Sequence, residues 1–319
     1  MFDHFLWSVV VVPLLLVVVV RLLVDRLPPG AAAVALAWSA AVAAAASLAN
    51  LAVFTVKATA EVPAVGRLFG WSPGVVADDT AHVAWAPWLS AALLCAAAVS
   101  VTRRRRRHRR ALAAADVGPS DGGLVLLPDQ SAQAFAVPGR PGHVVVTAGM
   151  RRLLTDRQFD ALLAHEHAHL AGGHHRLIRL AELAAAAHPC LWWVARHVDY
   201  LVERAADEHA ATVVGSRGTV AHAIGIAALA ASERPRAGGR RAADGRPADG
   251  RRDAPYGLHA ASRGGVVPRR VAHLLRPAAG VGRPVLCLLP VLPALFSVAW
   301  TGEAIYDLVE LLSLARHGR

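Results

Sequence analysis

Apolar and polar positions alternate in two different ways along this chain. Phe5 to Val24, Ala31 to Phe54, Trp85 to Val101 and Pro284 to Trp300 are apolar runs of the length a bilayer crossing requires. Arg21, near the end of the first run, can snorkel to the interface, and Trp85 and Trp88 stand where interfacial anchors belong. Pro290 and Pro293 are read as kinks in the last run, residues 301–319 as a short tail, and Thr55 to His82 as a connecting loop.

Between residues 120 and 280 the pattern becomes that of a folded domain. Gly123-Leu-Val-Leu-Leu-Pro128 and His143-Val-Val-Val-Thr147 are short aliphatic runs bounded by Gly or Pro, and they predict strands. A helix is expected over 156–171, with Thr155 as N-cap, Gln158 completing a capping box, and Gly172-Gly173 as the stop. A second helix should carry Glu203 to Ala210, and a third 217–231. Leu177 to Ala195 is apolar but holds Glu182, His188 and Pro189, which favours a buried or interfacial segment over a further crossing. Residues 232–265, rich in Arg, Gly, Ala, Pro and Asp, bury too little to fold and read as a disordered linker; order resumes at Arg269-Arg270-Val271.

Composition sharpens this picture. The 319 residues are 55% hydrophobic with a mean hydropathy of +0.40, which suits a membrane part plus one modest domain. The net charge of +11 would suit a nucleic-acid partner, but the arginines concentrate beside the third apolar run and in the linker. Arg103, Arg104, Arg105, Arg106 and Arg107 therefore read as a polybasic juxtamembrane segment (103–119) facing anionic lipids, and no nucleic acid is expected. The positive-inside rule puts this run in the cytoplasm and, counting back three crossings, the N-terminus outside. Cys95, Cys190 and Cys287 share no spacing, so they offer no disulfide framework and are expected as small buried hydrophobes.

The chemistry is concentrated in His165-Glu166-His167-Ala168-His169. Residues four apart on a helix lie one above the other, so His165 and His169 can offer two imidazoles to one ion. Glu166 projects beside them, where it can reach a water without binding the metal. A tetrahedral catalytic site needs one more protein ligand, and Glu203 is the candidate. Asp207, four residues on, would accept the spare N–H of a ligand histidine. One Zn2+ per chain follows. His167 should point away from the metal.

These paired motifs resemble membrane-embedded zinc metallopeptidases of two related groups, the BlaR/MecR sensor-transducers and the HtpX/CAAX-protease type. The resemblance covers roughly 120–280. It implies a mainly α, multi-span membrane protein with an embedded α+β zincin-like (gluzincin-type) metallopeptidase domain. The implied organisation is three transmembrane helices in 1–102, a metallopeptidase domain in 120–280, and a C-terminal transmembrane helix in 284–300. In the HtpX group an Asn-Ala-Phe-Ala segment forms an edge strand beside the active site. Here Ala134, Phe135 and Ala136 match it, with Gln133 in place of Asn.

Three spans before the motif and His188-Pro189 ahead of Glu203 resemble the sensor-transducers more closely. The 301–319 tail is too short for their penicillin-binding sensor domain, and Val267-Pro268 stands where the HtpX group has His-Pro. The resemblance further implies a bacterial cell membrane, a catalytic domain on the cytoplasmic side, and a protein or peptide substrate such as a transcriptional repressor. His174, His175, Arg204 and His209 are the candidates by sequence proximity for stabilising an oxyanion. Two alternatives stay open. One is HtpX-like quality control of membrane proteins; the other is a non-catalytic signalling scaffold that keeps zinc for stability.

Overall fold

The structure is a computed structural model that describes residues 2–79, 81–115, 123–232, 266–276 and 284–317, with only the backbone of 114, 115 and 284. In chain order, α1 (Phe2–Phe5) passes through a π-helical segment (Leu6–Val11) into α2 (Val12–Leu23), and α3 (Pro29–Ala60) follows. Two short helices, α4 (Pro63–Phe69) and α5 (Pro73–Asp78), precede α6 (Trp85–Ala115). Strands β1 (Leu124–Leu127), β2 (Ala134–Val137) and β3 (His143–Thr147) lead into α7 (Ala148–Leu153), α8 (Asp156–Ala171) and α9 (His174–Ala187). The remaining helices are α10 (Trp192–Val214), α11 (Arg217–Ser232), α12 (Val266–Leu275) and α13 (Val291–His317). Two compact units result: Met1–Arg105 with Leu177–Val198 and Gly282–Arg319, and Arg106–Arg176 with Asp199–Val281.

In the first unit, four helices among the described residues are long and apolar enough to cross a membrane: Phe2–Leu23, Pro29–Ala60, Trp85–Ala113 and Val285–His317. The alanines of α3 (Ala33, Ala37, Ala40, Ala44) are buried, and small residues of this kind let helix backbones approach closely. Asn50 donates from Nδ2 to Thr301 Oγ1 of α13 at 2.8 Å, which ties the two helices together.

Several expectations are corrected here. The segment 301–317 is no tail, because α13 runs through it to His317. Its Ala304, Leu308 and Ala315 recur at helical spacing and are buried, so the acids between them lie on the other faces of a continuing helix. The stretch 55–82 is largely helical: α3 continues to Ala60, and α4 and α5 follow. Val76 and Trp71 pack with Ala315, and Ser72 donates its N–H to Ala315 O at 2.9 Å. Buried Lys57 donates to Val76 O at 2.7 Å, which explains a charge near the end of an apolar helix.

Pro290 precedes α13 and Pro293 lies in its first turn, where N–H groups have no helical partner anyway, so neither kinks it. Cys95 is exposed on α6, and Cys190 and Cys287 are half-buried, which overturns their reading as buried. Leu177–Ala195 is broken by a 3-10 turn at Pro189–Leu191 and is not among the crossing helices. His188 there bonds Val9 O at 2.8 Å, and Arg21 lies 4.2 Å over the Trp193 ring.

The second unit is built on a sheet ordered β1-β3-β2, with β1 parallel and β2 antiparallel to β3. Val144 and Val146 join Ala134, Met150, Ala161 and Ile224 in the main core, while Val145 joins Phe135 and Val137 on the opposite face. That alternation is the period-two signature of a strand. Helix α8 has the predicted bounds. The Thr155 hydroxyl accepts from the Gln158 N–H and the Gln158 side chain accepts from the Thr155 N–H, so the capping box is formed. Gly173, at φ +57, supplies the left-handed turn that ends the helix. The linker is expected over 232–265, but Ser232 still belongs to α11; residues 233–265 and the end of the polybasic segment (116–119) lie outside the described residues, and Arg103–Arg110 continue the α6 helix.

Candidate metal centre

Helix periodicity alone puts His165 and His169 on one face of α8, and the fold decides what they face. Their Nε2 atoms lie 3.1 Å apart, and Glu203 of α10 stands across from them, its Oε2 3.6 Å from His165 Nε2 and its Oε1 3.5 Å from His169 Nε2. Metal–ligand bonds of about 2.0–2.1 Å at tetrahedral angles separate ligand atoms by roughly 3.3–3.4 Å. Contacts of 3.1–3.6 Å between these donors are of that order, and one ligand atom from each of the three buried side chains lies within 4.8 Å of the others.

Asp207, one turn beyond Glu203, lies with Oδ1 3.0 Å from His165 Nδ1. Glu203 and Asp207 are 7% and 2% exposed, which excludes a solvated helix face. Two buried carboxylates require a cation, and Arg270 of α12 provides it. Its Nε and Nη2 donate to Asp207 Oδ2 and Oδ1 at 2.8 and 2.6 Å, and its Nη1 is 2.8 Å from Glu203 Oε2. The sequence placed Arg270 where order resumes after the linker but gave it no place in the site. The available signal was the charge imbalance: two interior acids four residues apart need a buried base.

Glu166 is 1% exposed. Its carboxylate accepts the backbone N–H of Ala136, while its buried Oε2 has no hydrogen-bond partner among the described residues. Strand β2 is an edge of the sheet, as expected for Ala134-Phe135-Ala136, and all three residues are buried. Thr147 donates its N–H to Gln133 O, so by antiparallel alternation Ala134 and Ala136 turn their N–H and C=O groups away from β3.

Of the other candidates, His174 touches the centre, with its Nδ1 3.1 Å from His169 Nδ1. His209 is exposed, and Arg204 lies over the Tyr200 ring. His167 is exposed and bonds back to Leu163 O, away from the cluster.

Electrostatics follow from burial and these contacts. Burial opposes charge on His165, but the Asp207 and Glu203 carboxylates outweigh it and push the imidazole up to about 10. Burial lowers His169 to about 3 and His174 to about 4, so both are neutral nitrogen bases. Burial raises Glu166 to about 7. Burial works against charge on Glu203 and Asp207 as well, but the Arg270 guanidinium holds both well below the usual carboxylate range.

The centre thus collects three carboxylates around one guanidinium, a neutral His169 and a His165 whose added proton a bound metal would displace. A divalent cation would balance that charge. The orphaned Glu166 Oε2 and the His165–His169–Glu203 cluster fit such an ion.

The fold and site define a protein with four helices long and apolar enough to cross a membrane, among the described residues, and a buried His-His-Glu centre suited to a metal. Residues 100–198 match the family model described as Peptidase family M48, whose members are zinc-dependent metallopeptidases. The match supports a metallopeptidase hydrolase. It includes His165, Glu166 and His169 but ends before Glu203, Asp207 and Arg270, which join the site only through the fold. No curated protein and no solved structure matches the chain.

Proposed function

We propose that this chain is a membrane-bound zinc endopeptidase, with 120–280 as its peptidase domain and three transmembrane helices ahead of it. His165, His169 and Glu203 would hold one Zn2+. When bound, the ion supplies Lewis acidity toward an attacking water and the scissile carbonyl. Glu166 takes a proton from that water and returns it to the leaving amine. Its burial supports this role, because a carboxylate with its affinity raised toward neutrality can both accept and release a proton near pH 7. Asp207 holds the His165 imidazole with Nδ1 protonated and Nε2 free. The outer edge of β2 would bind an extended peptide by strand addition through the Ala134 N–H and C=O and the Ala136 C=O, the Ala136 N–H being directed at Glu166.

The substrate is a cytoplasmic or membrane protein, and a regulatory cleavage of the sensor-transducer type fits the three preceding spans. The domain would sit on the cytoplasmic side of a bacterial membrane, with Arg103 to Arg107 against anionic lipids. The observation that carries the reading is the unpartnered Glu166 Oε2 beside the His165–His169–Glu203 cluster.

The test uses detergent-purified wild type and Glu166→Gln. About one zinc in each, with cleavage of casein or of the chain itself only in the wild type, is the expected outcome. Zinc in both with cleavage in neither would favour a scaffold. A wild type that binds no metal would overturn the proposal.

A further inference from the structure

We infer that His174 is a positioning residue for the metal centre, fixing the tautomer and ring orientation of His169. This rests on reading His165, His169 and Glu203 as metal ligands.

The two histidines of α8 are supported unequally. His165 has a carboxylate behind its ring, Asp207 Oδ1 at 3.0 Å from Nδ1. Behind His169 stands His174, Nδ1 to Nδ1 at 3.1 Å, with the rings perpendicular and their centroids 4.9 Å apart. Both imidazoles are buried, at 6% and 8% exposure. For His169 to offer the lone pair of Nε2, its one proton must sit on Nδ1. A buried N–H needs an acceptor, and the His174 Nδ1 lone pair is within hydrogen-bond reach. His174 then carries its own proton on Nε2.

His174 is no fourth ligand. It approaches His169 from the Nδ1 side, whereas His165 Nε2 and Glu203 approach from the Nε2 side.

The short connection between α8 and α9 places this imidazole. His174 opens α9 two residues after Gly172. A Cβ at Gly172 would come within 2.4 Å of His174 Nε2 and 2.7 Å of its Cδ2, with Ala168 O next at 3.0 Å. Gly172 has an ordinary helical φ of −76, so backbone conformation does not demand glycine there. The ring of His174 does. The neutral acceptor also supports His169 without adding a fourth carboxylate to a centre that already holds three.

The test is the affinity of the full-length detergent-solubilised protein for zinc, by competition with a chromogenic chelator, with Co2+ spectra of the same variants. Loss of a partner behind a ligand histidine typically lowers metal affinity about 10–100-fold. His174→Phe should show that loss and altered Co2+ bands, and Gly172→Ala should weaken binding in the same direction. His174→Asn, whose Oδ1 can accept from His169 Nδ1, should restore most of it. Equal affinity in His174→Phe and wild type would overturn the inference, and so would a His174→Asn protein that binds zinc no better than His174→Phe. A wild type that fails to bind zinc would instead sink the metal reading itself.

Discussion

Replacing Arg270 by Met removes a buried charge while keeping an unbranched apolar stem and most of the volume of the side chain. In the metal-free protein that guanidinium, 1% exposed, is the cation shared by Glu203 and Asp207. Its loss leaves two carboxylates facing each other's field inside the domain, with only His165 to offset them. Breaking one buried ion pair by removing a partner costs about 3–5 kcal/mol. For a unit of 150–250 residues each kcal/mol moves the melting temperature by about 2–4 °C, so Arg270→Met should lower it by roughly 6–20 °C.

The assay is thermal unfolding of chelator-treated protein in detergent, wild type against variant. Adding Asp207→Asn to Arg270→Met should recover part of the loss, since removing both members of a buried pair costs far less than removing one. A metal-free Arg270→Met protein that melts within about 1 °C of wild type would refute the reasoning, because the pair would then not depend on the guanidinium.

Asp207→Asn alone should reduce zinc affinity about 10–100-fold, measured by chelator competition, because the carboxylate that orients His165 becomes a weaker acceptor. Proton linkage gives a further prediction. His165 is pushed up to about 10 in the metal-free centre, so below that pH a metal must displace its proton. The apparent log K should rise by about one per pH unit between pH 7 and 9, with about one proton released per ion, readable by calorimetry in buffers of different ionisation enthalpy. For the metal-free fold the sign reverses. A raised imidazole contributes stability that is fully present below its unfolded value of about 6.5 and is lost as pH rises toward 10. Glu166, pushed up to about 7 by burial, acts as a base only when ionised. A bound cation lowers that value, so the acid limb of the cleavage rate should fall at or below about pH 7.

The sequence by itself determined what depends on local spacing. Residues four apart share a helix face wherever the helix goes, so His165 with His169, and Glu203 with Asp207, were legible as pairs. The Thr155–Gln158 capping box and the aliphatic runs of β1 and β3 were legible for the same reason: a hydrogen bond three residues long, or a period of two, is written in the chain. Long apolar runs likewise announced the crossing helices.

What the tertiary structure alone decided is how distant segments neutralise one another. Arg270 lies 63 residues from Asp207 along the chain, and no periodicity connects them; only packing of α12 shows that the guanidinium is interior. The link from Glu166 to Ala136 N–H depends on which edge of the sheet lies beside α8, a matter of strand order and not of residue type. The helical character of 301–317 was obscured because its acids read as the end of a span, whereas its buried stripe exists only against neighbouring helices. Local chemistry proposes ligands, and long-range burial selects the charges that must accompany them.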